Sequence, residues 1–175
     1  MVATFQPIYT QTVSSGGTAQ VNFNNIPQSF SDLKIVVSSR ESAISDFRQP
    51  LFLNINGNTY SGYSDTILLG NSNSVSTTRN SYGAGTRVMI GYASGVTATS
   101  NTFANVETYI PAYTSSNYKQ IISEGVSENS NSSNYMLNIS AILYQSTLPI
   151  TSLQLTTYTT FAQNSTFTLY GIKSL

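Results

Sequence analysis

A chain of 175 residues holds seven Lys plus Arg against seven Asp plus Glu, so its formal net charge is zero and only 8% of it is charged, against about 25% in an average globular protein. That balance excludes a basic footprint for nucleic acid and a polybasic membrane patch, and neither is expected as a partner. The length suits a single domain over 1–175, the 12 Tyr and 8 Phe argue for a packed core, and the absence of Cys, His and Trp removes disulfides, thiol chemistry and imidazole chemistry together.

Taken in chain order, apolar residues recur with a period of two almost throughout. The opening MVATFQPIYTQTV shows neither the basic start nor the apolar centre of a secretory signal. Its Phe5, Ile8, Tyr9 and Val13 fit either an arm that pairs with a neighbour or an ordinary first strand, and the pattern favours the strand. Ala19, Val21 and Phe23 share one parity before a turn at Asn25-Ile26-Pro27. Leu33, Ile35 and Val37 then form a core face, with Lys34, Ser38 and Arg40 opposite and Arg40 expected as a solvated or interfacial charge.

PLFLNINGNTYSGY reads as a hairpin, because Asn56-Gly57 is a strong two-residue turn signal and Tyr60 starts the return. The polar stretch 70–85 (GNSNSVSTTRNSYGAG) is expected as a long loop, and 127–134 (SENSNSSN) as a shorter one. Between and after them, TRVMIGYA, TFANVETYI, YKQIISEG, YMLNISAILY, ITSLQLTTY and STFTLYGIK carry the β-branched and aromatic residues of strands. No window places apolar residues at helical spacing over three turns. The expected architecture is all-β: an antiparallel, jelly-roll-like β-sandwich of about eight to ten strands.

Reactive chemistry is sparse. With no His or Cys, Ser-His-Asp and Cys-His arrangements and zinc sites are excluded. GxxxxGK[ST] and GxGxxG are missing, and Gly83-Ala84-Gly85 is a turn. Asp65 lacks the clustered oxygens of a calcium loop. Carboxylates are the remaining catalytic candidates, and Glu107 and Glu124 would meet if TFANVETYI and YKQIISEG formed a hairpin; a solvated cross-strand pair, or a partner for Lys119 or Arg87, is the plainer reading. No catalytic residue, metal or cofactor is therefore expected. Tyr60, Tyr63, Tyr82, Tyr92, Tyr109, Tyr113 and Tyr118 fit either a binding surface or strand packing.

Three pieces of the chain bear a likeness to a known group. VNFNNIPQSFSDLKIVVSSR, IPAYTSSNYKQI and NSTFTLYGIKSL, in that order, resemble segments of small tailed-bacteriophage virion proteins with β-sandwich or jelly-roll folds. The likeness spans about 21–173, and 70–85 carries none of it. It implies a virion component, on the capsid exterior or the tail. As a head decoration (cement) protein it would contact the major capsid protein and itself, as a homotrimer. As a tail-fibre or tail-tip domain it would hold a host surface glycan. Within that expectation Phe5, Ile8 and Tyr9 of the first segment, and Arg79, Tyr82 and Arg87 in or beside 70–85, are the candidate interface residues.

Overall fold

The computed structural model describes residues 4–43, 45–59, 62–71, 74–82, 86–129 and 136–173, with the side chains of 81 and 82 outside that set. The described residues form twelve strands: β1 (Phe5–Thr12), β2 (Thr18–Phe23), β3 (Asp32–Ser39), β4 (Arg48–Ile55), β5 (Tyr63–Asn71), β6 (Ser74–Tyr82), β7 (Val88–Ser94), β8 (Ala104–Ile110), β9 (Lys119–Ser127), β10 (Met136–Tyr144), β11 (Leu153–Phe161) and β12 (Thr166–Ile172). All pairings between them are antiparallel. An eight-stranded sheet runs β1-β12-β3-β8-β9-β10-β5-β6, and a four-stranded sheet runs β2-β11-β4-β7.

This order is a jelly roll with two additions. Setting aside the β5–β6 and β9–β10 pairs leaves β1-β12-β3-β8 facing β2-β11-β4-β7, the strand order of two nested Greek keys. Both added pairs extend the same sheet beyond β8, so one sheet becomes twice as wide as the other.

Twelve strands exceed the eight to ten expected, and the surplus lies in the polar stretch read as a loop. Most of 70–85 is the end of β5 and all of β6, joined in register from Asn71↔Ser74 to Tyr63↔Tyr82. Because β6 is exposed from Ser74 to Arg79, burial imposes no alternation on it. Its Val and Thr residues are the only trace of a strand. Residues 83–85, Tyr60 and 130–135 lie outside the described residues, so the expected 127–134 loop is described only to Asn129.

The Asn56-Gly57 turn is present, with φ of 56° and 60°, but it does not close a hairpin. β4 pairs with β11 and β7, whereas β5 crosses to the other sheet and pairs with β10 and β6. The Asn56 side chain joins the crossing to the β10–β11 connection: its Oδ1 accepts the Thr151 N–H at 2.8 Å and its Nδ2 donates to the Pro149 carbonyl at 2.8 Å. A tight turn sets chain reversal locally, and long-range partners decide which sheet receives the next strand.

Between the sheets, alternation becomes burial. β3 and β4 bury every second residue, and Leu33, Ile35, Val37, Leu51, Leu53 and Ile55 are each 0% exposed. They share one cluster with Val21, Phe23, Ile90, Tyr113, Phe161 and Phe167. Under the extension the interior turns polar. Thr108 and Ser123 hydroxyls meet at 2.7 Å, and the Ser123 Oγ also donates to the Ile90 carbonyl at 2.7 Å. A Cβ on Gly125 would stand 2.7 Å from the Asn138 Oδ1 and 3.0 Å from a Val106 methyl, so glycine is what leaves room on β9 for these side chains of β10 and β8.

The stretches VNFNNIPQSFSDLKIVVSSR, IPAYTSSNYKQI and NSTFTLYGIKSL converge at one end of the sandwich. The Tyr113 hydroxyl of IPAY donates to the Pro27 carbonyl of the first turn. The Phe30 ring lies on Gly171 of LYGI, where a Cβ would collide with it. The Ser31 N–H donates to the Ile172 carbonyl at 2.8 Å, and Asp32 Oδ1 accepts the Ala112 N–H at 2.8 Å. These motifs therefore encode the closure of a jelly roll, and their information is architectural.

Burial also sets the alkaline behaviour. It raises the phenols of Tyr63, Tyr92, Tyr113 and Tyr144 above their usual value near 10. Above pH 10 the unfolded chain releases these protons before the folded one does, so it binds fewer protons and stability falls as pH rises. The Tyr109 phenol, also raised, adds to them, and the Lys119 ammonium, lowered by burial, acts in the opposite sense, one group against five. Between about pH 6 and pH 9 no His or Cys is present to titrate. Urea midpoints should therefore be nearly flat over that range and drop above about pH 10; a steep change near pH 7 would contradict the assignment.

Candidate functional site

The outer face of the eight-stranded sheet is open, and its residues follow from strand register. One row across the strands reads Lys34, Tyr109, Ile122, Ala141, Thr66 and Arg79; the next reads Val36, Glu107, Glu124, Ile139, Leu68 and Thr77; the third reads Ser38, Asn105, Val126, Leu137, Gly70 and Val75. Ile122, Val126, Leu137, Ile139, Leu68 and Val75 are 51, 44, 54, 39, 41 and 73% exposed. They are cross-strand or next-row neighbours, so the face holds one contiguous apolar patch, the kind of surface that marks a contact site.

Charge sits at the margins of this patch. Glu107 and Glu124 stand directly opposite one another in the β8–β9 pair. Like charges so placed repel, and the Lys34 Nζ, 2.6 Å from Glu107 Oε2, takes up one of them. The hairpin that would unite these carboxylates is present, and the partner of Glu107 is Lys34 rather than Lys119 or Arg87. The two carboxylates lie side by side on an open surface, whereas glycoside hydrolysis places an acid and a base or nucleophile on either side of the scissile bond.

Three depressions adjoin on the same face. One of about 560 Å³ runs from Tyr109 and Pro111 over Ile122, Ala141 and Thr66 to Arg79, with Gln120 and Ser64 along its side. One of about 220 Å³ lies among Phe5, Lys34, Glu107, Tyr109, Ile122 and Glu124. A third of about 290 Å³ lies among Asn105, Glu107, Glu124, Val126 and Leu137. Tyr109, whose phenol burial and a hydrogen bond to Asp32 both raise, borders the first two.

The six interface candidates do not form one cluster. Phe5 is 53% exposed at the β1 end of the outer face. Ile8 packs against the core. Tyr9 stacks on Phe23 with ring centroids 5.8 Å apart and donates its hydroxyl to the Asn24 carbonyl. The segment is the edge strand β1, paired with β12 from Phe5↔Ile172 to Thr12↔Thr166. Arg79 lies on the outer face, 3.4 Å from the Thr66 hydroxyl. Arg87 belongs to the other side of the sandwich, its guanidinium 4.0 Å from the Phe52 ring centroid and 5.8 Å from that of Tyr158. Tyr82 ends β6, and its side chain is outside the described set.

Most of the tyrosines weighed as a binding surface are structural. Tyr63, Tyr92 and Tyr113 are buried, and only Tyr109 and Tyr118 of that group are exposed among the described residues. What the sequence reading missed is the apolar outer face itself. Its signal lies in KQIISEGVS and MLNISAILY, which carry Ile, Val and Leu on both parities, so only one of the two faces can enter the core. Among the described residues no group of three or more Asp or Glu is placed to hold a metal ion.

No family model matches the chain, and no curated protein matches it. Among solved structures it is similar to the CBM2 module of Lactobacillus casei BL23 phage J-1 evolved Dit, with 9% identity over 89% of this chain and 70% of that chain, at a TM-score of 0.17. A superposition that loose carries no argument about this chain.

Proposed function

We propose that this chain is a non-enzymatic structural component of a bacteriophage particle, a decoration protein that docks on the capsid through the outer face of its eight-stranded sheet. The contiguous apolar patch of Leu68, Val75, Ile122, Val126, Leu137 and Ile139 carries this reading, since an open apolar sheet face suits a partner that covers it. Two further features support it: zero net charge and the ordered likeness of three segments to virion proteins. Affinity would come from buried area, with Lys34, Glu107, Glu124 and Arg79 setting register at the rim. The chain should co-sediment saturably with purified heads of its phage and not with purified tails. Absence of binding to heads overturns the decoration reading.

The second reading is a tail-tip domain that holds a host glycan. It is favoured by the trough between Tyr109 and Arg79, where one aromatic ring and the Gln120, Ser64 and Thr66 side chains suit a sugar's mixed surface. Binding to tails and to a host polysaccharide, lost in Tyr109→Ala, would select this reading over the first.

A further inference from the structure

We propose that β6 is the strand through which two copies of this chain join, edge to edge and antiparallel, about a two-fold axis. The inference rests on how differently the four sheet edges are finished. β7 is almost wholly buried along its length. β2 has six residues and a ladder to β11 that shifts register between Thr156 and Phe161. β1 carries Pro7, which has no N–H, and a register shift between Pro7 and Tyr9. These are devices that discourage strand addition.

β6 has none of them. Its nine residues run straight beside β5 with no register shift and no proline, and it ends the sheet order with no strand beyond it among the described residues. Its outward N–H and C=O groups form a template for another strand.

The occupant that fits is a second β6. Full antiparallel overlap of SVSTTRNSY centres on Thr78, so Thr78 meets Thr78 and the single charge of the strand, Arg79, faces Thr77. Threonine pairs are favourable across strands, and this register sets no like charges directly opposite. A two-fold normal to the sheet also turns both outer faces to the same side, so the two apolar patches share one surface, with Thr77 and Arg79 of both copies between them at the axis. A cyclic trimer would instead need β6 to pair with a different edge, and Pro7 with its register shift opposes that at β1.

The inference deepens the assembly reading, and its test does not depend on head binding. Light scattering during size exclusion at high micromolar concentration should give twice the 18.9 kDa chain mass for the wild type. Thr78→Lys and Thr78→Glu should each be monomeric with unchanged circular dichroism, and an equimolar mixture of the two should recover the dimer. Hydrogen exchange reads the same contact without substitution: β6 amides should be protected at high concentration and lose that protection on dilution, while β5 amides stay unchanged. A wild-type monomer or trimer, a dimer that persists in Thr78→Lys, or β6 exchange independent of concentration would each overturn the proposal. A monomer whose β6 becomes protected only with heads present would assign the edge to a foreign strand and overturn it equally.

Discussion

Lys119→Met is expected to lower the free energy of unfolding by about 3–5 kcal/mol. Lys119 is 1% exposed, and its ammonium donates to the carbonyls of Ser115 at 2.8 Å, Ser146 at 3.1 Å and Leu148 at 2.7 Å. All three ammonium protons are thus matched by backbone acceptors, from the β8–β9 connection and the β10–β11 connection. Methionine keeps most of the apolar stem but leaves three carbonyls without that donor, and each unmet group costs about 1–3 kcal/mol if water does not replace it. Arginine should not rescue the site, because its planar fork cannot point three donors along these directions. Urea unfolding monitored by tyrosine fluorescence measures the effect. A loss under about 1 kcal/mol would mean that water enters as the ammonium leaves.

Arg40→Ala is the second large effect, expected at about 2–4 kcal/mol and localised to one loop. The guanidinium donates to the carbonyls of Val96 at 3.1 Å, Ala98 at 3.0 Å, Thr99 at 2.9 Å and Thr102 at 3.0 Å. It is a staple for the β7–β8 connection, not the solvated or interfacial charge its sequence position suggested. The connection contains few buried apolar residues of its own, with Val96 42% exposed, and its other ties to distant segments include the Thr97 N–H to the Asp46 carbonyl and Thr99 to Asn129. Hydrogen exchange across 96–103 should accelerate in Arg40→Ala while β3 and β8 remain protected. Lys at this position should recover only a minor part, since a single ammonium reaches fewer of the four carbonyls. Uniform acceleration over the whole molecule would show that the residue supports the core and not the loop.

These two residues show where sequence reading loses its grip. Lys119 and Arg40 are bound by backbone carbonyls of distant segments, and a carbonyl has no residue type to recognise. What was legible rests on burial with a period: the Leu33, Ile35, Val37 face, the β8–β9 hairpin that sets Glu107 opposite Glu124, and the all-β jelly roll itself. β6 was illegible because neither of its faces is covered, so no alternation is imposed. The sheet change after Asn56-Gly57 was illegible for another reason, since both outcomes need the same turn. Arg79, inside the stretch read as a loop, and Arg87, beside it, fall on opposite sides of the sandwich because β6, which holds Arg79, and β7, which Arg87 directly precedes, belong to different sheets.

The outer face holds the account together, and charge placed at its centre tests it most directly. Ile122 and Leu137 are 51% and 54% exposed, so Ile122→Glu with Leu137→Glu should leave stability within about 1 kcal/mol of wild type. If this face is the docking surface, the double variant should lose at least about tenfold in affinity for purified heads, or about 1.4 kcal/mol. A double variant that folds and binds heads as tightly as the wild type would contradict that assignment.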